Sequence, residues 1–446
     1  MIKTNARRCA LSILIDVEKN NAFSNIAIRK HLKNKEISDV DKGLITELVY
    51  GVLENKIYLD FIIEQFSKIK MNKISIAVLN ILRMGLYQII YLDKIPQFAA
   101  VDESVRLAKK EEFKSSGFVN AILRNFIRNK EQVDLSKIKK DPAKYLSIMY
   151  SHPLWLVKRW IKKHGQAFTE ELLKANNETP KLIIRTNTLK TTREELVNLL
   201  LEDDIKVDES VYVNDALYIG KVRDIEKLEA YKKGFFQVQD ESSMLVANVL
   251  DPQPEECILD VCAAPGGKST HIAQMMNNKG KVIARDIYDH KLKLINDNAN
   301  RLGIDIIHTE SFDATEVDSN LIKSVDRVLV DAPCSGLGII RRKPELKYNK
   351  TIDDIKEISK LQYKILCSAS QYVKKGGFLV YSTCTIEQEE NMNIIEKFLY
   401  EHGEYEMVDI NEFLPKALRM KDKVLQLYPN THKTDGFFIC KLKRIR

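Results

Sequence analysis

The chain has 446 residues, 44% of them hydrophobic and 30% charged, with a formal net charge of +8. That length allows two to four domains with ample cores, and the composition excludes a disordered or fibrous chain. Seven cysteines without regular spacing or a C-x-x-C pair argue against a disulfide framework and a zinc site, so no metal is expected. The most apolar run, residues 74–92, is broken by Asn80, Arg83 and Gln88, which excludes a membrane span and leaves a buried helix. Asp16 and Glu18 give "CALSILIDVE" helical rather than secretory patterning, so a cytoplasmic chain with reduced thiols and no membrane partner is expected.

In chain order, residues 1–130 carry helical stripes almost throughout. Ala6, Cys9, Ala10, Ile13, Leu14 and Val17 recur at the spacing of one helix face, and similar stripes follow to "GFVNAILRNFIRN". An all-α bundle is predicted. Residues 1–150 hold 26 Lys and Arg against 17 Asp and Glu, whereas the rest of the chain is close to neutral. Such a basic third suits either an anionic partner or a solvated lysine-rich surface. The polar stretch 129–145 reads as a linker, and residues 131–180 as linker and helices, with "SHPLWLVKRWIKKHG" restarting the helical pattern behind Pro153. Trp155 and Trp160 in that stretch suit packing better than base stacking. Residues 181–235 read as a small α+β module: a strand in "KLIIRTNTL", a helix in "TREELVNLLLED", and short strands in "IKVDES", "ALYIG" and "GFFQVQD". From 236 to 446, strands "CILDVC", "KVIARD", "IIHTES", "RVLVDAP" and "FLVYSTC" alternate with helical stretches. This alternation predicts a parallel α/β sheet, closed by an antiparallel hairpin of "VLQLYPN" and "DGFFICKLKR".

"DVCAAPGGKST" (260–270) follows the first α/β strand and admits three readings. It misses the phosphate-loop pattern by one residue: Cys262 stands in place of the first glycine, and Pro265 removes a backbone donor. In that reading Lys268 would touch phosphates, Ser269 would hold magnesium and Asp331 would be the magnesium-binding acid. A dinucleotide site would need G-x-G-x-x-G, which is absent. An S-adenosylmethionine site needs glycine only for close backbone approach, here Gly266 and Gly267, and an acid at the end of the second strand, where Asp286 sits.

"DAPCSG" (331–336) and "YSTCTIEQEEN" (381–391) each place a cysteine just after a strand, at the end that faces the ligand crevice of a parallel sheet. A lone cysteine is usually a small buried hydrophobe. Two at strand ends, in one domain with a candidate methyl-donor loop, suggest chemistry. Carbon-5 of cytosine is too weak a nucleophile to take a methyl group directly. Addition of a thiolate to carbon-6 makes it enamine-like, and later loss of the carbon-5 proton and of the thiolate restores the ring. An amino-nitrogen methyltransferase would need no thiol.

With these motifs, "SHPLWLVKRW", "IIRTNTLK" and "GFFQVQDESS", the chain resembles the RNA cytosine-C5 methyltransferases over essentially its whole length. It is most similar to bacterial 16S ribosomal RNA enzymes of the RsmB (Sun/Fmu) type. The resemblance implies a NusB-like helical RNA-binding domain, an RRM-like α+β module and a class I Rossmann-like methyltransferase domain. It further implies S-adenosylmethionine as cofactor, 16S ribosomal RNA as partner, and a monomer. By the same resemblance Cys384 is the nucleophile, Cys334 assists proton removal or product release, and Asp331 bonds the base near N3. Cys262, Ala263, Ala264, Pro265, Gly266, Gly267, Lys268, Asp286, Asp313 and Asp331 line the cofactor site. In DNA cytosine methyltransferases the proline–cysteine motif carries the nucleophile, so motif order alone would favour Cys334. Candidate RNA contacts are Arg7, Arg8, Arg29, Lys30, Arg124 and Arg128 on the bundle, Arg185 and Asn187 in "RTNT", and Arg341 in "RRKPE". The alternatives are a different substrate, such as tRNA, and a non-catalytic RNA-binding factor.

Overall fold

The computed structural model describes residues 5–33, 37–220, 222 and 224–446. It divides into two compact units: Met1–Glu178 with Ile340–Asn349, and Thr179–Ile339 with Lys350–Arg446.

The first unit is helical: α1 (Ala6–Asn20), α2 (Ser24–Leu32), α3 (Asp39–Phe66), α4 (Ile76–Tyr91), α5 (Gln97–Glu111) and α6 (Ser116–Asn129). Asn5, Ser38 and Ser75 each accept a first-turn amide, which starts α1, α3 and α4. The predicted α1 stripe is buried, packed with Leu48, Val52, Ile81, Leu82 and Phe126. The three polar residues that interrupt α4 are buried and bonded inside the bundle. Arg83 pairs with Asp60 (2.6 Å) and Glu18 (2.9 Å), Asn80 donates to Glu18 (2.7 Å), and Gln88 accepts from Arg7 (2.7 Å).

Residues 129–145 are not an open linker. They form a 3-10 turn (Lys130–Gln132), α7 (Ser136–Lys139) and the start of α8 (Pro142–Met149). Asp141 accepts from Lys144 N and Pro142 occupies the first turn, a start signal that apolar periodicity does not reveal. Two further helices, α9 (Leu154–His164) and α10 (Gln166–Asn176), complete the unit, with Trp160 fully buried. The segment Ile340–Asn349 packs here as well. Glu345 accepts from Ser24 N (3.0 Å), Lys347 Nζ donates to Glu54 O (3.0 Å), and Tyr348 Oη donates to Leu53 O (2.7 Å).

The second unit opens with β1 (Leu182–Thr186), α11 (Arg193–Glu202), β2 (Val207–Glu209), β3 (Ala216–Ile219), α12 (Glu229–Lys232) and β4 (Phe236–Val238). Their antiparallel order β2-β3-β1-β4 makes a βαββαβ, ferredoxin-like sheet. After α13 (Glu241–Leu250) come β5 (Cys257–Asp260), α14 (Gly267–Met275), β6 (Lys281–Asp286), α15 (Asp289–Leu302), β7 (Ile307–Ser311), β8 (Val325–Asp331), α16 (Ile352–Ser370) and β9 (Val373–Thr383). The chain ends in α17 (Met392–Glu401), β10 (Tyr405–Val408), β11 (Leu425–Leu427), α18 (Pro429–His432) and β12 (Phe437–Arg444).

The sheet order is β10-β12-β9-β8-β5-β6-β7, parallel from β7 through β9, with β12 reversed against β9 and β11 paired to β12. Val328, Leu329 and Val330 are successive and all fully buried, as expected for a strand covered on both faces. The closing β11–β12 pair matches the expected hairpin. Strand β10 was not foreseen: it is four residues long and mostly half-exposed, with neither an apolar run nor clean alternation.

Candidate active site

Parallel pairing sets the carboxyl ends of β5 to β9 along one edge, and the strand order reverses at β5, between β6 and β8. That is where an open α/β sheet forms its ligand crevice. The ends carry, in turn, Asp260 and the loop to Gly266, Asp286, the loop holding Asp313, Asp331 with the Cys334 loop, and Thr383 with Cys384. Gly266 precedes α14 as its cap residue at φ +96°, and a Cβ there would lie 3.1 Å from Ile295 Cα, so glycine is required. Asp286 Oδ1 accepts from Tyr288 N (3.1 Å) and its carbonyl from Phe312 N (3.2 Å), which brings the Asp313 loop alongside. Asp313 accepts from the amide (2.9 Å) and hydroxyl (2.8 Å) of Thr315, and these bonds hold its carboxyl below the usual range.

Lys268 and Ser269 are engaged within the protein. Lys268 Nζ pairs with Asp331 Oδ2 at 2.7 Å, Ser382 Oγ donates to Asp331 Oδ1 (2.8 Å), and Ser269 Oγ donates to Asp260 Oδ2 (2.6 Å). The two groups a phosphate loop would turn toward phosphate and magnesium are thus directed elsewhere. Burial opposes the lysine charge, but Asp331 beside it, helped by Cys384, holds the ammonium above its ordinary value. Asp260 is fully buried, and burial pushes its carboxyl up to about 7 despite the Ser269 bond.

Cys334 Sγ and Cys384 Sγ lie 2.9 Å apart, as free thiols. The bond to Cys384, and then burial, push the Cys334 thiol well up. The two cysteine loops touch again where Gly338 N donates to Cys384 O (3.0 Å). A Cβ on Gly338 would fall 2.0 Å from Gly436 O, so only glycine permits this approach.

The candidate RNA contacts fare differently. Arg8 and Arg124 are exposed, Arg8 pairing with Glu111 (3.1 Å) and Arg124 donating to Asn120 (2.8 Å), while Arg7 is half-buried against Gln88. Arg185 is not a surface contact. It is 1% exposed and donates to Gln274 (3.1 Å), Gly267 O (2.9 Å), Thr270 (3.2 Å) and Gln239. Asn187 is likewise buried, its amide donating to Gly234 O and Leu302 O (both 2.8 Å). Arg341 is buried, in the segment that belongs to the first unit. Both arginines directly follow apolar residues, Ile183 and Ile184 before Arg185 and Ile339 and Ile340 before Arg341, the one sequence signal of their burial. Sequence reading also passed over Arg106, Lys109 and Lys110. With Arg8, Asn5, Glu103 and Leu107 they line a groove of about 340 Å³ between α1 and α5. Among the described residues, no helix is long and apolar enough to cross a membrane, and no cluster of three or more His, Cys, Asp or Glu could hold a metal.

The sheet order, the reversed last strand and the glycine loop at the switch point define a Rossmann-like methyltransferase domain. Residues 247–443 match the family 16S rRNA methyltransferase RsmB/F, residues 4–128 the NusB family, and residues 152–226 an RsmF/B-like, ferredoxin-like domain. The chain is 43% identical, over all of both chains, to the probable ribosomal RNA small subunit methyltransferase B of Bacillus subtilis (strain 168). Among solved structures it is similar to PH0851 (TM-score 0.82, 28% identity, covering 99% of this chain and 98% of that one). It is also similar to NSun6 from Pyrococcus horikoshii with SFG, an S-adenosylmethionine analogue (TM-score 0.59, 26% identity, covering 65% and 97%). The chain belongs to the 16S rRNA methyltransferase RsmB/F family and is an RNA methyltransferase.

Proposed function

We propose that this enzyme methylates carbon-5 of a cytosine in 16S rRNA through a covalent intermediate on Cys384, with S-adenosylmethionine as donor. The observation that carries this reading is the pair of thiols 2.9 Å apart at the ends of β8 and β9, beside the Lys268–Asp331 pair.

The residues present fit the donor. No side chain caps α14, and a Cβ on Gly267 would meet nothing closer than Gln239 at 4.0 Å, so the first-turn amides stand open to an amino-acid carboxylate. Asp286 would hold the ribose hydroxyls, with Asp313 in the adjoining loop. When bound, S-adenosylmethionine supplies an electrophilic methyl group on a sulfonium.

The Cys384 thiolate gives its electron pair to carbon-6 of the base, forming the S–C bond. Asp331 bonds the base near N3, and Lys268 Nζ, 2.7 Å from Asp331 Oδ2, lends the proton that N3 takes up as carbon-6 is attacked and recovers it when the ring is restored. Carbon-5, now enamine-like, takes the methyl group. Cys334 then assists removal of the carbon-5 proton. That C–H pair restores the 5,6 double bond, and the S–C pair returns to Cys384. The exposed cations of the groove between α1 and α5, with Arg124, would meet RNA phosphates.

Incubation with a 16S RNA transcript and methyl donor tests this on denaturing gels. Cys334→Ala is expected to trap a protein–RNA adduct, and Cys384→Ala to form none and be inactive. Swapped phenotypes would reverse the nucleophile assignment. Methylation of tRNA but not of 16S transcript would overturn the substrate.

A further inference from the structure

Sequence reading assigned no role to the acidic end of "YSTCTIEQEEN". In the structure its Glu390 is completely buried, in a 3-10 turn (Gln388–Glu390) just before α17. A buried carboxylate is costly unless donors surround it, and here three do. Glu390 Oε2 accepts from Ser335 N (2.8 Å) and Gln362 Nε2 (3.2 Å), and Oε1 from Thr385 Oγ1 (3.2 Å). Ser335 follows Cys334 and Thr385 follows Cys384, so one carboxylate is bonded to the neighbour of each thiol. The two hydroxyls also bond each other at 2.9 Å. Gln362, on α16, donates to Pro333 O as well (2.9 Å), so Cys334 is held from the residue before it and the residue after it. Asn391 completes the brace on the other loop: its amide donates to Thr385 O (3.0 Å) and it accepts from Thr383 Oγ1 (2.6 Å).

From this geometry we infer that Glu390 is a positioning residue that sets the separation of Cys334 and Cys384, acting through Ser335 and Thr385. It does not touch the base. Its effect on rate comes from registering two loops whose sulfurs must meet opposite sides of one reaction. The inference rests on the covalent reading above.

The test uses the full chain, a 16S RNA transcript and labelled methyl donor under single-turnover conditions. Glu390→Ala is expected to slow methyl transfer by about 10²-fold, the scale of an ångström-sized misplacement, with S-adenosylhomocysteine affinity held within about twofold. Glu390→Gln keeps an acceptor oxygen for Ser335 N and Gln362, and the Thr385 hydroxyl can turn to accept from the new amide. It is therefore expected to recover to within about tenfold of wild type. Adduct formation in a Cys334→Ala background should slow with Glu390→Ala by a similar factor, because the Cys384 loop moves too.

A folded Glu390→Ala within about threefold of the wild-type rate overturns the inference, as does a Glu390→Gln no better than the alanine variant. Loss of donor affinity in step with rate also overturns it, since that marks general damage. Should the alanine variant fail to fold, Glu390→Gln and Thr385→Val carry the test, and wild-type rates in both refute it. If Cys334→Ala alone traps no adduct, the covalent reading falls. If it traps adduct while Glu390→Ala keeps full speed, only the role of Glu390 falls.

Discussion

Arg185 offers the sharpest test of the structure against the sequence, because its two readings predict opposite results. Replacing it with methionine keeps an apolar stem and removes every donor. Gln274 Oε1, Gln239 Oε1 and Thr270 Oγ1 then lose their guanidinium partner, and Gly267 O keeps only the Thr270 hydroxyl. Buried acceptors without donors cost about 1–3 kcal/mol each. Part of that returns, because burial already opposes the charge strongly enough to bring the arginine down to about 9. A net loss of about 3 kcal/mol follows, in line with breaking other buried charged networks. For a unit of this size that lowers Tm by about 6–12 °C, read by thermal unfolding. Because Gly267 opens α14 in the donor loop, S-adenosylhomocysteine affinity measured by calorimetry should also fall by about tenfold, or about 1.4 kcal/mol. An unchanged Tm and donor affinity with weakened RNA binding would refute this reasoning and return Arg185 to the RNA surface.

Two further outcomes follow from the crevice. Asp260 has a folded-state value near 7 against an ordinary one near 4, so its protonation favours the folded state. The associated stability is complete at low pH and is lost as pH rises from about 4 to about 7. Relative to Asp260→Asn, wild-type stability should therefore decline across that window, by at most about 4 kcal/mol, and run parallel above it; a constant difference in pH-resolved unfolding would refute this. Lys268→Met removes the cation beside Asp331 and Cys384. Methyl transfer should drop by about 10²-fold in single-turnover assays; an unchanged rate would show that the pair with Asp331 does not serve the reaction.

Local periodicity carried most of the secondary structure: the α1 stripe, the successive buried residues of β8 and the four strands of the ferredoxin-like module all lie where their patterns pointed. It failed where other signals govern. Residues 142–149 start their helix at a capping aspartate and a first-turn proline inside a polar stretch, and β10 is too short to show a period.

The sequence by itself determined the kinds of residue at the strand ends, because parallel α/β alternation forces those ends to one edge and the motifs sit just beyond them. Which partners those residues take was decided only by tertiary structure. Lys268 meets Asp331 across 63 residues and Cys334 meets Cys384 across 50, separations over which no periodicity carries information. Arg185, Asn187 and Arg341 look alike in sequence to surface cations and amides. Their burial depends on whether distant acceptors converge on them, as Gln239, Gly267 and Gln274 do around Arg185. Glu390 makes the same point. Its neighbours in sequence show only a run of acids and amides, and only the meeting of two loops and α16 supplies the three donors that satisfy its buried carboxyl.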